Sequence, residues 1–218
     1  MGALILVRHG QASFGTENYD RLSPLGHQQA EWLGEYFAAH GLRFERAIRG
    51  ALRRHRETAE GIARVLRLPE FAIDPRLDEF QSRALVEEYA LATGAAPPSG
   101  REGFLQHFPE VLARWEAGVI GSEAPERYQS FQARVDAAIA DAYQPGHNTL
   151  VVTSGGVIGV TLRRVLGLDI TATAELMLAI HNASVHRLDW EGGKLRLTLF
   201  NASPHLDPVE RIHARTFI

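Results

Sequence analysis

Cysteine is absent from the 218 residues, which excludes disulfides, thiolate zinc sites and cysteine nucleophiles. Lysine is nearly absent: Lys194 is the only one, so arginine carries almost all of the positive charge. The net charge of −3 argues against a generic nucleic-acid-binding protein. No basic leader, cleavage-like site or membrane-length apolar run is present. We therefore expect a cytoplasmic protein that binds neither nucleic acid nor a membrane.

Apolar, β-branched segments alternate with helical segments along the chain, which favours an α/β fold. We expect a three-layer α/β/α sandwich with a mainly parallel sheet, formed by one domain over residues 1–218. A helical insertion over about residues 82–144 is expected to cover the site. The predicted strands are Ala3–Val7, Phe44–Ile48, Phe71–Ile73, Asn148–Thr153, Val185–Trp190 and Leu195–Phe200.

Capping residues and apolar spacing predict where the first helices lie. Ser23 is a suitable N-cap, Pro24 suits the first helical position, and Gly41 is a stop signal. A second helix is predicted over Leu52–Leu66. Its predicted buried stripe consists of Leu52, Ala59, Ile62, Ala63 and Leu66.

Arg8-His9-Gly10 directly follows the first predicted strand. Open α/β sheets bind ligands beyond the carboxyl ends of their strands, and the ends at Val7, Ile48 and Thr153 are expected to face one crevice. A neutral histidine nitrogen can accept a phosphoryl group and release it to water. The guanidinium fork of arginine matches the oxygens of a phosphate. The tripeptide therefore indicates a phosphate site with a nucleophile.

Five motifs in this order and spacing resemble the histidine phosphatase superfamily, also called the phosphoglycerate mutase-like family. They are Arg8-His9-Gly10, Leu22-Ser23-Pro24-Leu25-Gly26 with Gln29-Ala30, Leu52-x-Arg54-x-x-Glu57-Thr58-Ala59, Leu77-x-Glu79, and Gly155-Gly156 after a late strand. The resemblance implies that His9 is the phosphorylated nucleophile and that Arg8 and Arg54 bind the phosphoryl oxygens. It also implies that Glu79 is the general acid and base.

The residue types themselves are compatible with those roles. Two arginines would stabilise charge on a transferring phosphoryl group. A carboxylic acid can donate a proton near neutral pH only if its pKa is raised, which burial beside Leu77 and Phe80 could achieve. Asp78 is the alternative acid, but adjacent residues in an extended segment point in opposite directions. The motif Leu77-x-Glu79 favours Glu79.

Ser154 departs from the family pattern, because most members have a second histidine just before the late glycine pair. The change leaves a hydroxyl and the backbone N–H groups near Gly155 as anion donors. Loss of one donor typically costs about 10²- to 10³-fold in rate, so we expect weakened turnover, and Ser154→His should raise it. His55 and His181 are possible replacements. His55, however, follows Arg54 on a helix and points roughly 100° away from it, which favours a structural role.

Further polar residues are candidates for binding phosphate or the leaving group. Gln11, Ser13 and Asn18 lie in the loop after His9, where a plain loop role is equally plausible. Asn182 matches a family position near a late substrate-facing strand, with a turn-forming role as the alternative. The candidate substrate-binding set is therefore Arg8, Arg54, Gln11, Ser154, Gly155 and Asn182.

The predicted function is hydrolysis of phosphomonoesters through phospho-His9, with no metal and no organic cofactor. The substrate would be a small phosphorylated compound or a phosphoprotein, and an exposed hairpin or helix could support a homodimer. One alternative is a phospho-ligand-binding or regulatory protein with little turnover because of Ser154. A second alternative is a phosphoglycerate-type mutase. Retention of both His9 and Glu79 argues against a pure binding protein, which needs neither a nucleophile nor an acid.

Overall fold

A six-stranded mixed sheet forms the centre of the computed structural model, which describes residues 2–13, 20–94, 100–121 and 126–217. The strands are β1 (Ala3–Arg8), β2 (Arg46–Arg49), β3 (Phe71–Ile73), β4 (Thr149–Thr153), β5 (Val185–Glu191) and β6 (Lys194–Ala202). Their order across the sheet is β3-β2-β4-β1-β5-β6. The first four strands are mutually parallel, whereas the β5–β6 hairpin adds antiparallel pairs beside β1. The expectation of a mainly parallel sheet closed by a hairpin is confirmed.

Helices cover both faces of this sheet. They are α1 (Pro24–Ala39), α2 (Arg53–Ala63), α3 (Ser82–Thr93), α4 (Gly100–Glu116), α5 (Tyr128–Ala142), α6 (Gly155–Leu166) and α7 (Ile170–Ala179), with short 3₁₀ turns at Pro75–Leu77, Pro204–Leu206 and Val209–Ala214. The predicted helical stretch between residues 82 and 144 contains α3, α4 and α5. Among the described residues, no helix is long and apolar enough to cross a membrane.

Two separate apolar cores follow from the alternation of side chains along β1. Leu4 and Leu6 join a core formed with α3 to α7, while Ile5 and Val7 join a core formed with α1 and α2. A sheet that is buried on both faces requires apolar residues at consecutive positions, as β1 has. The three-layer α/β/α prediction is confirmed.

The ends of α1 agree with the sequence signals. The Ser23 hydroxyl accepts a hydrogen bond from the Gly26 amide at 3.1 Å, and Pro24 occupies the first turn. After the helix, Gly41 adopts a φ of 64°, a left-handed conformation that glycine tolerates at no steric cost.

Helix α2 differs from its predicted form. It ends at Ala63 instead of Leu66, and Ala63 is exposed although it was expected in the buried stripe. The first half of the helix instead buries polar residues, among them His55, Glu57 and Thr58. This polar face is buried because it packs against the loops at the carboxyl ends of β1 and β4.

Candidate active site

The carboxyl ends of β1 and β4 bring the site together. His9, just after β1, donates its backbone N–H to the Thr153 carbonyl at 2.9 Å, which places it beside the start of α6. The loop after β2 leads into α2, and the first turn of α2 contributes Arg54. Around a cavity of about 460 Å³, the structure places Arg8, His9, Arg54 and Glu79, together with Gly155. Five predicted site residues, separated widely in sequence, therefore line one cavity.

The His9 ring is oriented for nucleophilic attack by its Nε2 atom. Nδ1 lies 2.7 Å from the Gly10 carbonyl oxygen, which can only accept, so Nδ1 carries the proton. Nε2 therefore has the free lone pair, and it accepts a hydrogen bond from Arg54 Nε at 3.2 Å. Burial, the neighbouring Arg54 and Arg8 guanidinium groups and His55 hold the pKa of His9 well below its usual value. The ring is neutral, as a nucleophile must be.

Both arginines are nearly buried and are held by neighbouring groups. Arg8 donates through Nη1 to the Ile180 carbonyl. Arg54 donates through Nη1 to Asp20 Oδ1 at 2.8 Å. Two fixed cations beside the His9 nucleophile form a suitable binding site for the oxygens of a phosphoryl group.

The Glu79 carboxyl group lines the same cavity. Its Oε2 accepts the Gly156 amide hydrogen at 2.9 Å, and its Oε1 accepts that of Phe80 at 3.2 Å. Burial raises the pKa of Glu79, although the Gly156 amide, Arg54 and Arg8 oppose this rise. The raised pKa favours the protonated acid, the form that can donate to a leaving group.

The two glycines at the start of α6 allow close approach in this region. A Cβ at Gly156 would lie 2.1 Å from Glu79 Oε1, so any side chain there would displace the acid. Gly155 lies against Arg8, since a Cβ on it would be 3.6 Å from Arg8 Nε. Gly156 therefore permits close packing of the helix against Glu79, whereas the distance from Gly155 to Arg8 is an ordinary van der Waals contact.

Gln11 and Asn182, two predicted substrate-binding residues, do not line the cavity. Gln11 accepts from the Ser23 hydroxyl at 2.7 Å. Asn182 is buried and donates through Nδ2 to the His9 carbonyl at 3.3 Å, so it supports the backbone of the nucleophile. The Ser13 hydroxyl donates to the Leu22 carbonyl at 3.2 Å. Asn18 lies outside the described residues.

Thr216, in the carboxyl-terminal segment, contacts Asn182 and so contributes to holding the His9 backbone. The Asn182 backbone N–H donates to the Thr216 carbonyl at 2.7 Å, and the Thr216 hydroxyl donates to Asn182 Oδ1 at 3.0 Å. Gln29 donates to the Thr216 hydroxyl oxygen at 3.0 Å and accepts from the Gln11 amide at 2.7 Å. A hydrogen-bonded network thus joins the loop after His9 to the carboxyl-terminal segment.

Ser154 also lies outside the cavity lining, and the structure places His55 against it. Both residues are fully buried, with His55 Nε2 2.6 Å from Ser154 Oγ. His55 Nδ1 lies 3.5 Å from Asp78 Oδ1, and the His55 ring centroid is 5.8 Å from that of His9. His181, the other candidate, is part-buried beside Phe217, with ring centroids 5.7 Å apart. Of the two histidines, His55 is the one that contacts Ser154.

Sequence reasoning missed the roles of three residues that orient the site, among them Asp78, which it weighed only as the alternative acid. Asp20 binds Arg54, as described above. The Thr58 hydroxyl accepts from the Gly10 amide at 3.0 Å and donates to the Arg54 carbonyl at 2.7 Å, so it joins the nucleophile loop to α2. Asp78 faces His55, on the opposite side of the chain from Glu79. Thr58 could have been recognised from its place in the Arg54-containing motif, whereas Asp20 and Asp78 have no such signal.

Apolar side chains also line the cavity. Phe80, Phe104 and Phe108 lie together, with the Phe104 and Phe108 ring centroids 5.0 Å apart, and Met177 and Leu178 complete this surface. At the rim, Arg83 pairs with Glu87 at 2.9 Å. The cavity is therefore lined by both cationic and apolar side chains.

A family model matches residues 4–203, nearly the whole chain: the histidine phosphatase superfamily (branch 1). The chain belongs to this superfamily. The match includes every residue that lines the cavity. Among curated proteins, none matches this sequence.

Solved structures of the superfamily fold resemble the chain at low sequence identity. A phosphoserine phosphatase from Entamoeba histolytica, solved with phosphoserine, has a TM-score of 0.68 at 19% identity, covering 94% of this chain and 100% of its own. A mycobacterial glucosyl-3-phosphoglycerate phosphatase has a TM-score of 0.64 at 22% identity, with 92% and 98% covered. The alpha-ribazole phosphatase of Shigella flexneri has a TM-score of 0.64 at 21% identity, with 92% and 96% covered. At these identities, the likeness establishes the fold.

Proposed function

We propose that the protein is a phosphomonoester hydrolase that acts through a phosphohistidine on His9. One observation carries the proposal: His9 is buried and neutral, and its unprotonated Nε2 lies beside the Arg54 guanidinium. A protein that only bound phosphorylated ligands would need the two arginines but not this nucleophile. Glu79, an acid on the same cavity whose pKa burial raises, further supports turnover.

The first chemical step transfers the phosphoryl group to the enzyme. Arg8 and Arg54 hold the phosphoryl oxygens, and the His9 Nε2 lone pair forms a bond to phosphorus. The bond between phosphorus and the ester oxygen breaks at the same time. Glu79 gives its proton to that oxygen, so the alcohol leaves as a neutral molecule.

Hydrolysis of the phosphoenzyme then regenerates the site. The Glu79 carboxylate accepts a proton from water as the water oxygen bonds to phosphorus, and the bond between phosphorus and His9 breaks. Inorganic phosphate leaves, His9 is neutral again and Glu79 is protonated again. The two arginines stabilise the charge on the phosphoryl oxygens in both steps.

Trapping the covalent intermediate tests the proposal. We expect a radiolabelled phosphomonoester, mixed with the enzyme and quenched in alkali within milliseconds, to label the protein at His9. The label should be lost in acid, because a phosphorus–nitrogen bond is acid-labile. His40→Ala, a change at an exposed histidine on the opposite end of α1 from the site, should label normally. Turnover without any labelled protein, or a label that survives acid, would contradict the mechanism.

The combination of cationic and apolar lining residues favours a phosphomonoester with an apolar alcohol group. Phe80, Phe104 and Phe108 would contact that group while the arginines hold the phosphate. Arg83 and Glu87, the remaining charged residues among those lining the cavity, satisfy each other at the rim. A cavity of this volume suits a small molecule better than a folded phosphoprotein surface.

A matched pair of alkyl phosphates tests this preference. We expect kcat/KM to be about 10- to 100-fold higher for phenethyl phosphate than for O-phosphoserine, since the phenyl ring leaves water on binding. Phe104→Ala should remove much of that advantage and leave phosphoserine hydrolysis nearly unchanged. Leu91→Ala, a change at a side chain that is 85% exposed, serves as the control. Equal values for both substrates would disprove the preference.

A further inference from the structure

We propose that His55 supplies the second imidazole of the phosphoryl site, acting through the Ser154 hydroxyl and held in place by Asp78. The proposal rests on the proposed function, since it concerns the same phosphoryl group. In this arrangement, His55 and Asp78 are positioning residues. The imidazole that most family members carry at the end of β4 comes instead from the first turn of α2.

The contact between Ser154 and His55 replaces the ordinary structural use of a serine at this position. Ser154 is the N-cap residue of α6, but its side chain makes no capping hydrogen bond. In the same chain, Ser23 and Asp169 at equivalent positions do cap α1 and α7. The Ser154 hydroxyl instead lies 2.6 Å from His55 Nε2.

Gly50 provides the space for the His55–Asp78 pair. A Cβ there would lie 2.2 Å from His55 Nδ1 and 2.5 Å from Asp78 Oδ1. Gly50 is not among the residues with positive φ, so its backbone conformation does not require glycine. Contact with these two side chains is therefore what excludes a larger residue at position 50.

Asp78 is fixed from the other side by backbone donors. Its Oδ1 accepts from the Ala51 amide at 2.7 Å and from the Leu52 amide at 3.2 Å. Burial alone would raise the pKa of Asp78, but the neighbouring His55, 3.5 Å away, and the hydrogen bonds from these amides lower it. The carboxylate is therefore charged and directs the Nδ1 proton of His55 toward itself.

His55 is neutral without a bound anion, because burial lowers its pKa. Arg54 also opposes its protonation, whereas Asp78 and Asp20 favour it. In this state, Nε2 accepts the Ser154 hydroxyl hydrogen. Two negative charges on a bound phosphoryl group favour uptake of a proton from solvent at Nε2. The hydroxyl then accepts from Nε2 and turns its own hydrogen toward the anion beside Gly155.

Exchange of the two side chains tests this arrangement. We expect His55→Ala and Ser154→Ala each to lower kcat by about 10- to 100-fold, and the variant carrying both alanines to be no slower than either. Ser154→His alone should also be slow, contrary to the expectation from sequence, because His55 already fills the space. His55→Ala combined with Ser154→His should recover kcat to within a few-fold of the unmodified enzyme. His40→Ala is the matched control, and thermal unfolding shows which variants fold.

Nitrogen-15 NMR of the imidazoles gives a readout that a merely structural histidine would not move. Inorganic phosphate should raise the His55 pKa in the unmodified protein, and Ser154→Ala should reduce that shift. A folded His55→Ala enzyme with unchanged kcat would overturn the inference, as would failure of the exchanged variant to recover. An acid-stable phosphoenzyme that is absent from Ser154→Ala would also overturn the inference, because Ser154 would then be the nucleophile.

The failure of this inference can be distinguished from the failure of the proposed function. If the unmodified enzyme formed no phosphoenzyme, the proposed function would be wrong. If the phosphoenzyme formed but phosphate did not change the His55 pKa, only this inference would be wrong.

Discussion

Replacement of His9 by alanine is expected to lower kcat by about 10⁴- to 10⁶-fold, the scale seen when a covalent nucleophile is removed. The variant retains Arg8, Arg54 and Glu79, so it can bind the phosphoryl group but cannot form the bond to phosphorus. Initial rates with p-nitrophenyl phosphate, together with alkali-quench labelling, measure the loss. No acid-labile label should form on the variant.

Phosphate binding separates loss of chemistry from loss of the site. Calorimetric titration with inorganic phosphate should show that His9→Ala still binds, since the two guanidinium groups are held by Ile180 and Asp20 rather than by His9 alone. Equal, very low rates in the unmodified protein and the variant, with tight phosphate binding in both, would instead identify a phospho-ligand-binding protein.

Replacement of Glu79 by glutamine is expected to lower kcat by about 10²- to 10⁴-fold for an alkyl phosphate. Glutamine preserves the shape of the side chain, and its single carbonyl oxygen can keep one of the two contacts with the Gly156 and Phe80 amides, but it has no acidic proton. The loss should be much smaller for p-nitrophenyl phosphate, because nitrophenolate leaves without protonation. Comparison of the two substrates in the same variant identifies the proton donor.

The pH dependence of kcat/KM shows whether Glu79 acts in its protonated form. Glu79 donates only when protonated, so kcat/KM for phenethyl phosphate should fall as pH rises through the raised Glu79 pKa. This descending limb should be absent in Glu79→Gln. His9 contributes no limb near neutrality, because its pKa is lowered and the ring is already neutral there. A descending limb that persists unchanged in the glutamine variant would assign the proton to another group.

Local signals were sufficient to predict the scaffold of the fold. The strand Phe71–Ile73 has its predicted bounds, and α1 begins after the predicted Ser23 cap. Both depend on interactions within a few residues, which the sequence displays directly. The placement of Arg8 and His9 likewise follows from their position at the end of a buried strand.

The surroundings of His55 could not be predicted in the same way. Helical geometry correctly places it on a different side of α2 from Arg54. However, the first turn of α2 packs against the residues that follow both β1 and β4, so both directions lead into the site. Arg54 meets His9, whereas His55 meets Ser154. Whether a side chain that points away is exposed depends on which distant loops pack there, and a single sequence does not reveal this.

Gln11 and Asn182 illustrate a second limit. Their amide groups suit a phosphate, and both lie near His9 in the fold. Their hydrogen-bonding capacity is instead used by Ser23, by Thr216 and by the His9 carbonyl. The sequence shows which groups can form hydrogen bonds, but competition between protein and ligand for those bonds is decided by tertiary contacts.

The hydrogen-bonded network around Asn182 also bears on how the enzyme matures during synthesis. Asn182 binds the His9 carbonyl across 173 positions of the sequence, and Gln29 binds Thr216 across 187. During synthesis, His9 leaves the ribosome 173 residues before Asn182, and Gln29 leaves it 187 residues before Thr216. The nascent chain therefore lacks the contacts that hold the nucleophile until these distant partners have emerged, and a product truncated before Asn182 would leave its nucleophile unsupported.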